Sequence, residues 1–163
     1  MLRIWRFITL ILTALGLVMG GAHVLELPPK MRYDPEMYAA VTSTLYPLFG
    51  LIGGPLQVAA VFSALVLTYW VRGRPPFRLT LFGALSIVLS LVLWFILVAP
   101  VNAEWRRVME TASESVPSAY QRLRSRWEYG HAAAFIAWLT GFSLLLSSVL
   151  KDTPSSRAHG PES

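Results

Sequence analysis

The sequence predicts an all-α protein: an antiparallel four-helix transmembrane bundle with helical extensions of spans two, three and four on the outer side. Three observations carry that expectation. The 163 residues are 55% hydrophobic and only 14% charged, where soluble domains carry about 25% charged residues. Four apolar runs, at residues 4–25, 48–71, 79–101 and 132–150, each approach the roughly 20 residues a helix needs to cross a hydrocarbon core of about 30 Å. The polar segments between them carry helix-start signals of their own.

Taken in order, residues 1–6 followed by 7–18 have the outline of a signal peptide. Gly20-Gly21-Ala22 is followed by no small-residue cleavage motif, however, and three more apolar runs come after it, so this is read as a retained first span. Asp34-Pro35-Glu36 combines a capping aspartate with a first-turn proline. The helix it starts is expected to run through residues 37–45 into span two, with a bend near Tyr46-Pro47. Span three contains no charge and is interrupted only by Thr80, Gly83 and two serines, and residues 102–113 extend it. Ser115-Val116-Pro117 marks a further start, after which Tyr120, Arg124, Trp127, His131 and Trp138 fall on one helical face. The domain is therefore expected to occupy residues 1–150. The tail, 151–163, rich in Pro, Ser and Gly, is expected to be a disordered cytoplasmic segment.

Small residues recur at four-residue spacing: Gly16 and Gly20, Gly50 and Gly54, and Ala133, Ala137 and Gly141. Such spacing lets helix backbones approach closely in lipid. Basic residues flank the spans. Arg3, Arg6, Arg72, Arg74, Arg78, Lys151 and Arg157 on one side balance Lys30, Arg32, Arg106, Arg107, Arg122, Arg124 and Arg126 on the other. The first span and the tight Arg72–Arg78 loop favour both termini inside, in a bacterial inner membrane. The net charge of +5 is thus explained by the lipid bilayer as partner, without nucleic acid.

The absence of cysteine excludes disulfides, thiolate metal sites and cysteine nucleophiles. Gly-x-Ser-x-Gly, His-Glu-x-x-His and phosphate-binding glycine loops are absent too. What remains is convergence. Antiparallel spans bring four ends to one mouth: His23 and Glu26; Tyr46 and Gln57; Asn102 and Glu104; and Trp127, Glu128 and His131. His23 and Glu26 lie one helical turn apart, as do Glu128 and His131, so each pair can face one point. Glu-x-x-His pairs on facing helices build di-iron sites. Spans two and three offer only Gln57 and Asn102 toward the rest of such a set, so the full set is missing. A mononuclear metal site drawn from His23, Glu26, Glu128 and His131 is one alternative. Haem held by His23 and His131 is another. No cofactor is required by the sequence. In the plainer reading the histidines bond neighbouring helices, while Glu26 and Glu128 pair with Arg32, Arg124 or Arg126. Trp94, Trp105, Trp127 and Trp138, with Tyr33, Tyr38, Tyr46, Tyr120 and Tyr129, form either an aromatic belt or the lining of a site for a flat aromatic molecule. Trp127 is singled out because it shares a face with His131. Gln57 reads as interhelical glue.

A histidine ending span one, Pro100-Val101-Asn102 ending span three, and Trp127 four residues before His131 at the entry to span four resemble the DUF1772 membrane proteins. That family includes the anthrone oxygenase-like proteins of polyketide pathways, and the similarity covers about residues 4–150. The resemblance implies a site of His23, Asn102, Trp127 and His131 in a membrane oxidoreductase acting on an aromatic or quinone-like substrate. A histidine would take a proton from a phenolic carbon acid, giving a carbanion that reacts with dioxygen. Asn102 would stabilise the enolate oxygen. The competing expectation is a non-catalytic accessory subunit packed against a membrane-protein partner. The third is a haem or metal carrier using His23 and His131.

Overall fold

The computed structural model describes residues 1–112 and 114–152. Among these, four helices are long and apolar enough to cross a membrane: α1 (Leu2–Lys30), α2 (Pro35–Trp70), α3 (Phe77–Thr111) and α4 (Val116–Lys151). The chain is an all-α transmembrane bundle. Ile4, Phe7, Val18, Phe62 and Phe82 point outward on it, as lipid-facing side chains do. The expected tail falls mostly on residues 153–163, outside the described ones. Its first two residues are ordered: Lys151 closes α4, and Asp152 pairs with Arg6 of α1.

The helix starts follow their sequence signals. Asp34 accepts a hydrogen bond from the Met37 backbone N–H at 2.7 Å, with Pro35 in the first turn. Ser115 precedes α4 but makes no capping bond to the backbone; its hydroxyl meets Ser118 instead. At the end of α3, Ala112 adopts a left-handed conformation with φ 48° and halts the helix.

Two expectations about boundaries are corrected. The helix of span one does not stop where its apolar run ends at residue 25. It continues through Pro28 and Pro29 to Lys30, so α1 also carries an extension at the end of the bundle away from the chain termini, the outer end in the orientation expected from the sequence. Each proline removes one donor, but the helix survives because its φ suits proline and the Met31 N–H still reaches the Leu27 carbonyl at 3.0 Å. Nor is the irregularity in α2 centred on Tyr46-Pro47. It is a π-helical turn at Phe49–Gly53, and α3 has a matching one at Trp94–Val98. Both end two residues before a proline, Pro55 or Pro100. A proline cannot donate to the carbonyl four residues back, and its ring crowds that carbonyl, so the ladder widens just upstream. In α3 the carbonyl so freed is Ile96, and the Arg126 guanidinium of α4 donates to it at 3.0 Å. A neighbouring helix thereby satisfies a backbone group that the proline left open.

The inner halves of the helices pack tightly around Ala60, Ala64, Ala84, Ile87, Trp138 and Leu145. α3 and α4 meet backbone to backbone. A Cβ on Gly141 would lie 2.8 Å from the Gly83 carbonyl oxygen, and one on Gly83 3.1 Å from that of Gly141. Gly16 and Gly20 receive the Trp138 and Phe135 rings of α4. The Trp138 indole donates to the Thr13 carbonyl at 2.8 Å, and Ser90 to the Ala134 carbonyl at 2.7 Å. The expectation of close packing fails at Gly50 and Gly54, where an added Cβ would touch nothing within 4 Å. The reason is that α2 and α3 pack at their inner halves and stand apart at their outer ones. A second core of Val98, Val101, Val108, Ala119, Leu123 and Trp127 joins the outer parts of α3 and α4.

Candidate functional site

Where the outer halves separate, a cavity of about 860 Å³ opens between the helices. Both π turns border it, through Phe49, Gly50 and Leu51 on α2 and Trp94 and Phe95 on α3. π turns are frequent at functional sites because they re-aim the side chains around them. The cavity extends from Asn102 and Arg106 at the mouth to Ser90, Gly16 and Trp138 below. At 1.5 Å per residue, Ser90 to Arg106 spans about 24 Å.

The two histidines meet on its wall. The His23 and His131 rings have centroids 4.1 Å apart and planes inclined at 36°. His23 is 7% exposed and also faces Tyr46, Phe49 and Trp127, at 4.8, 5.2 and 5.2 Å between centroids. His131 Nδ1 lies 3.0 Å from the Trp127 carbonyl oxygen one turn before it. In the neutral ring Nδ1 therefore carries the proton, and Nε2 keeps a free lone pair. His23 Nδ1 is buried with no hydrogen-bond partner among the described residues. The Trp127 indole donates to Asn102 Oδ1 at 2.7 Å. That bond fixes the amide so that its NH₂ is the group left to donate. Gln57, read from sequence as glue, lines the cavity.

The carboxylates do not join them. Glu128 is 1% exposed and accepts from the Tyr38 hydroxyl at 3.1 Å. Its other oxygen sits 3.0 Å from the Lys30 ammonium, an ion pair rather than an aligned hydrogen bond. Glu26 accepts from the Tyr46 hydroxyl, with Lys30 at 3.7 Å. The expected set of His23, Glu26, Glu128 and His131 is thus split by a cation. Among the described residues no group of three or more His, Asp or Glu could hold a metal ion. Haem fits no better. Two axial histidines stand on opposite faces of the macrocycle, and rings 4.1 Å apart leave no room for one between them.

Lys30, which the sequence pattern assigned to the charged outer flank, is 1% exposed and stands behind the site. Its ammonium lies 4.8 Å from the Trp127 ring centroid and 4.9 Å from that of Tyr46, a cation–π arrangement. The signal was present: Lys30 follows His23 by seven and Glu26 by four residues, on one helical face. Two of the three arginines expected to neutralise Glu26 and Glu128 bind elsewhere. Arg124 donates to the Met31 carbonyl and the Tyr120 hydroxyl, and Arg126 to the Ile96 carbonyl. Glu104 turns out to the surface, where Arg107 and Arg122 bind it. The Arg107 guanidinium holds its carboxyl below the usual carboxylate range. Of the aromatic residues, Trp94, Trp127, Trp138 and Tyr46 line the cavity, whereas Tyr129 is exposed.

Comparison with known proteins finds no matching family model, no similar curated protein and no similar solved structure.

Proposed function

We propose that the chain is a small membrane oxidoreductase of the anthrone oxygenase-like kind, oxidising a flat aromatic or quinone-forming substrate with dioxygen in the outer cavity. The observation that carries the reading is the His23–His131 pair, 4.1 Å apart on the wall of a cavity of about 860 Å³. That volume suits a ligand of drug-like size, and indole and phenol rings offer faces to stack on. The His131 Nε2 lone pair is the base. It takes a proton from the methylene carbon of a hydroxyanthrone-type substrate, and the Asn102 NH₂ donates to the enolate oxygen that forms. The electron-rich carbon then reacts with dioxygen. One oxygen atom becomes the new carbonyl and the other leaves as water with the two methylene hydrogens. Trp127 orients both polar residues, through its carbonyl to His131 and its indole to Asn102.

The placement that goes with this reading is a bacterial inner membrane with both termini in the cytoplasm and the cavity opening on the outer side. Tryptophan and tyrosine near both ends of the helices support a membrane setting, and a phosphatase–fluorescent protein fusion pair at each terminus tests the orientation.

The test of the chemistry is oxygen uptake and quinone formation by purified protein supplied with a hydroxyanthrone. Replacing His131 by Ala is expected to lower the rate above autoxidation by about 100-fold or more, the usual worth of a positioned base. His23→Ala is expected to act in the same direction. A folded His23→Ala/His131→Ala protein that oxidises the substrate as fast as the unaltered chain would end this reading.

A further inference from the structure

The two cavities at the outer mouth carry a charge asymmetry that names a class of ligand. The larger cavity continues into a smaller one of about 180 Å³. Thr42, Ser43, Tyr46, Asn102, Arg106 and Trp127 line both, so they are two parts of one space. Neither lining contains an aspartate or glutamate, and the single permanent charge in both is the Arg106 guanidinium.

That guanidinium is available. The four other arginines on the outer parts of α3 and α4 have acceptors: Arg107 takes Glu104, Arg122 takes Glu104 and Glu114, Arg124 takes the Met31 carbonyl, and Arg126 takes the Ile96 carbonyl. Among the described residues no acceptor pairs with Arg106. Arg106 follows Asn102 by one helical turn and therefore stands on the same side of α3. Within the site, the unpartnered Nδ1 of His23, 93% buried by its 7% exposure, is a second polar atom with no partner in the protein. A guanidinium presents a planar fork that matches a carboxylate with two parallel hydrogen bonds.

We propose that this joined space binds an aromatic carboxylate, its acid group held by Arg106 at the mouth and its flat ring body lying inward against Trp127 and the His23–His131 pair. The inference rests on the reading of the cavity as a substrate site and adds the charge of the substrate to it. The arginine gives the ligand one direction: acid outward, rings toward the histidines. A neutral ring system of the same shape has the stacking surface without that anchor.

The test compares two probes with the same flat body, anthraquinone-2-carboxylate and anthraquinone-2-carboxamide. Binding is read by quenching of tryptophan fluorescence in a neutral maltoside detergent, so that no lipid phosphate competes for Arg106. The carboxylate is expected to bind about fivefold more tightly than the carboxamide, the upper range for an ion pair at an exposed site. Arg106→Gln is expected to remove that preference, lowering carboxylate binding to the level of the carboxamide. Arg107→Gln, a change of equal charge at a side chain engaged by Glu104, is expected to preserve it. Equal binding of the two probes by the unaltered protein overturns the carboxylate assignment and leaves the cavity reading standing. A preference that survives Arg106→Gln, or that Arg107→Gln abolishes equally, overturns the assignment to Arg106. Binding of neither probe overturns this proposal and the substrate-site reading together.

Discussion

Replacing Lys30 by Met tests the buried charge cluster behind the histidines. The ammonium lies 3.0 Å from Glu128 and both side chains are essentially inaccessible. Removing the cation leaves the Glu128 carboxylate with one remaining donor, the Tyr38 hydroxyl. Breaking a buried pair from one side costs about 3–5 kcal/mol, because the survivor is charged and desolvated. For a chain of this size each kcal/mol moves the midpoint by about 2–4 °C, so the expected fall in apparent Tm is about 6–20 °C. The assay is thermal unfolding followed by tryptophan fluorescence in detergent, at one fixed scan rate because membrane proteins unfold irreversibly. Glu128→Gln in the same chain removes the stranded charge while keeping an acceptor for Tyr38. The double variant is expected to recover most of the loss, since a buried pair replaced on both sides is often near neutral. A Lys30→Met protein within about 2 °C of the unaltered chain would refute the reasoning. So would a double variant no better than the single one.

Three further outcomes follow from the packing. Gly141→Ala is expected to cost about 1–3 kcal/mol, because the new methyl would press on the Gly83 carbonyl and the Ile87 backbone; Gly54→Ala, facing open space, is expected to be neutral or mildly stabilising. The same thermal assay distinguishes them. Arg126→Met is expected to lower stability by about 1 kcal/mol through the unpaired Ile96 carbonyl, and Pro100→Ala, which restores an N–H to that carbonyl, is expected to suppress the loss; additive effects of the two changes would count against the shared carbonyl. Trp127→Phe keeps an aromatic ring but deletes the bond to Asn102 and leaves space in the core, so it is expected to reduce substrate oxidation and to cost about 1–3 kcal/mol of stability, as measured by turnover and Tm together.

Much of the candidate site was legible because helical periodicity is a property of one segment. The spacing of Trp127 and His131, and the antiparallel return of four spans, were enough to bring His23, His131, Asn102 and Trp127 to one mouth. Lys30 was missed because span one was bounded by its apolar run, 4–25, whereas the helix continues through Pro28 and Pro29, which near a helix end forfeit only a few bonds, so the face continues. The pairing of Glu26 and Glu128 was missed for a different reason. Several basic residues lay within plausible reach of each, and nothing in the sequence ranks them. Gly50 and Gly54 carried the same spacing as Gly16 and Gly20, but spacing does not say whether a partner helix is there.

By itself, the sequence determined four apolar helices, their antiparallel order and the end at which polar side chains gather. Length, composition and period within a segment settle those, and lipid leaves a helix as the way to satisfy each backbone group. Only the tertiary structure decided that a cation divides the carboxylates from the histidines, that two π turns border a cavity, and that Arg126 serves the carbonyl Pro100 leaves open. Each of these depends on the rotation and axial offset of one helix against another. Those are fixed by contacts such as Gly83 against Gly141 and Trp138 against Gly16, which exist only once the helices are packed together.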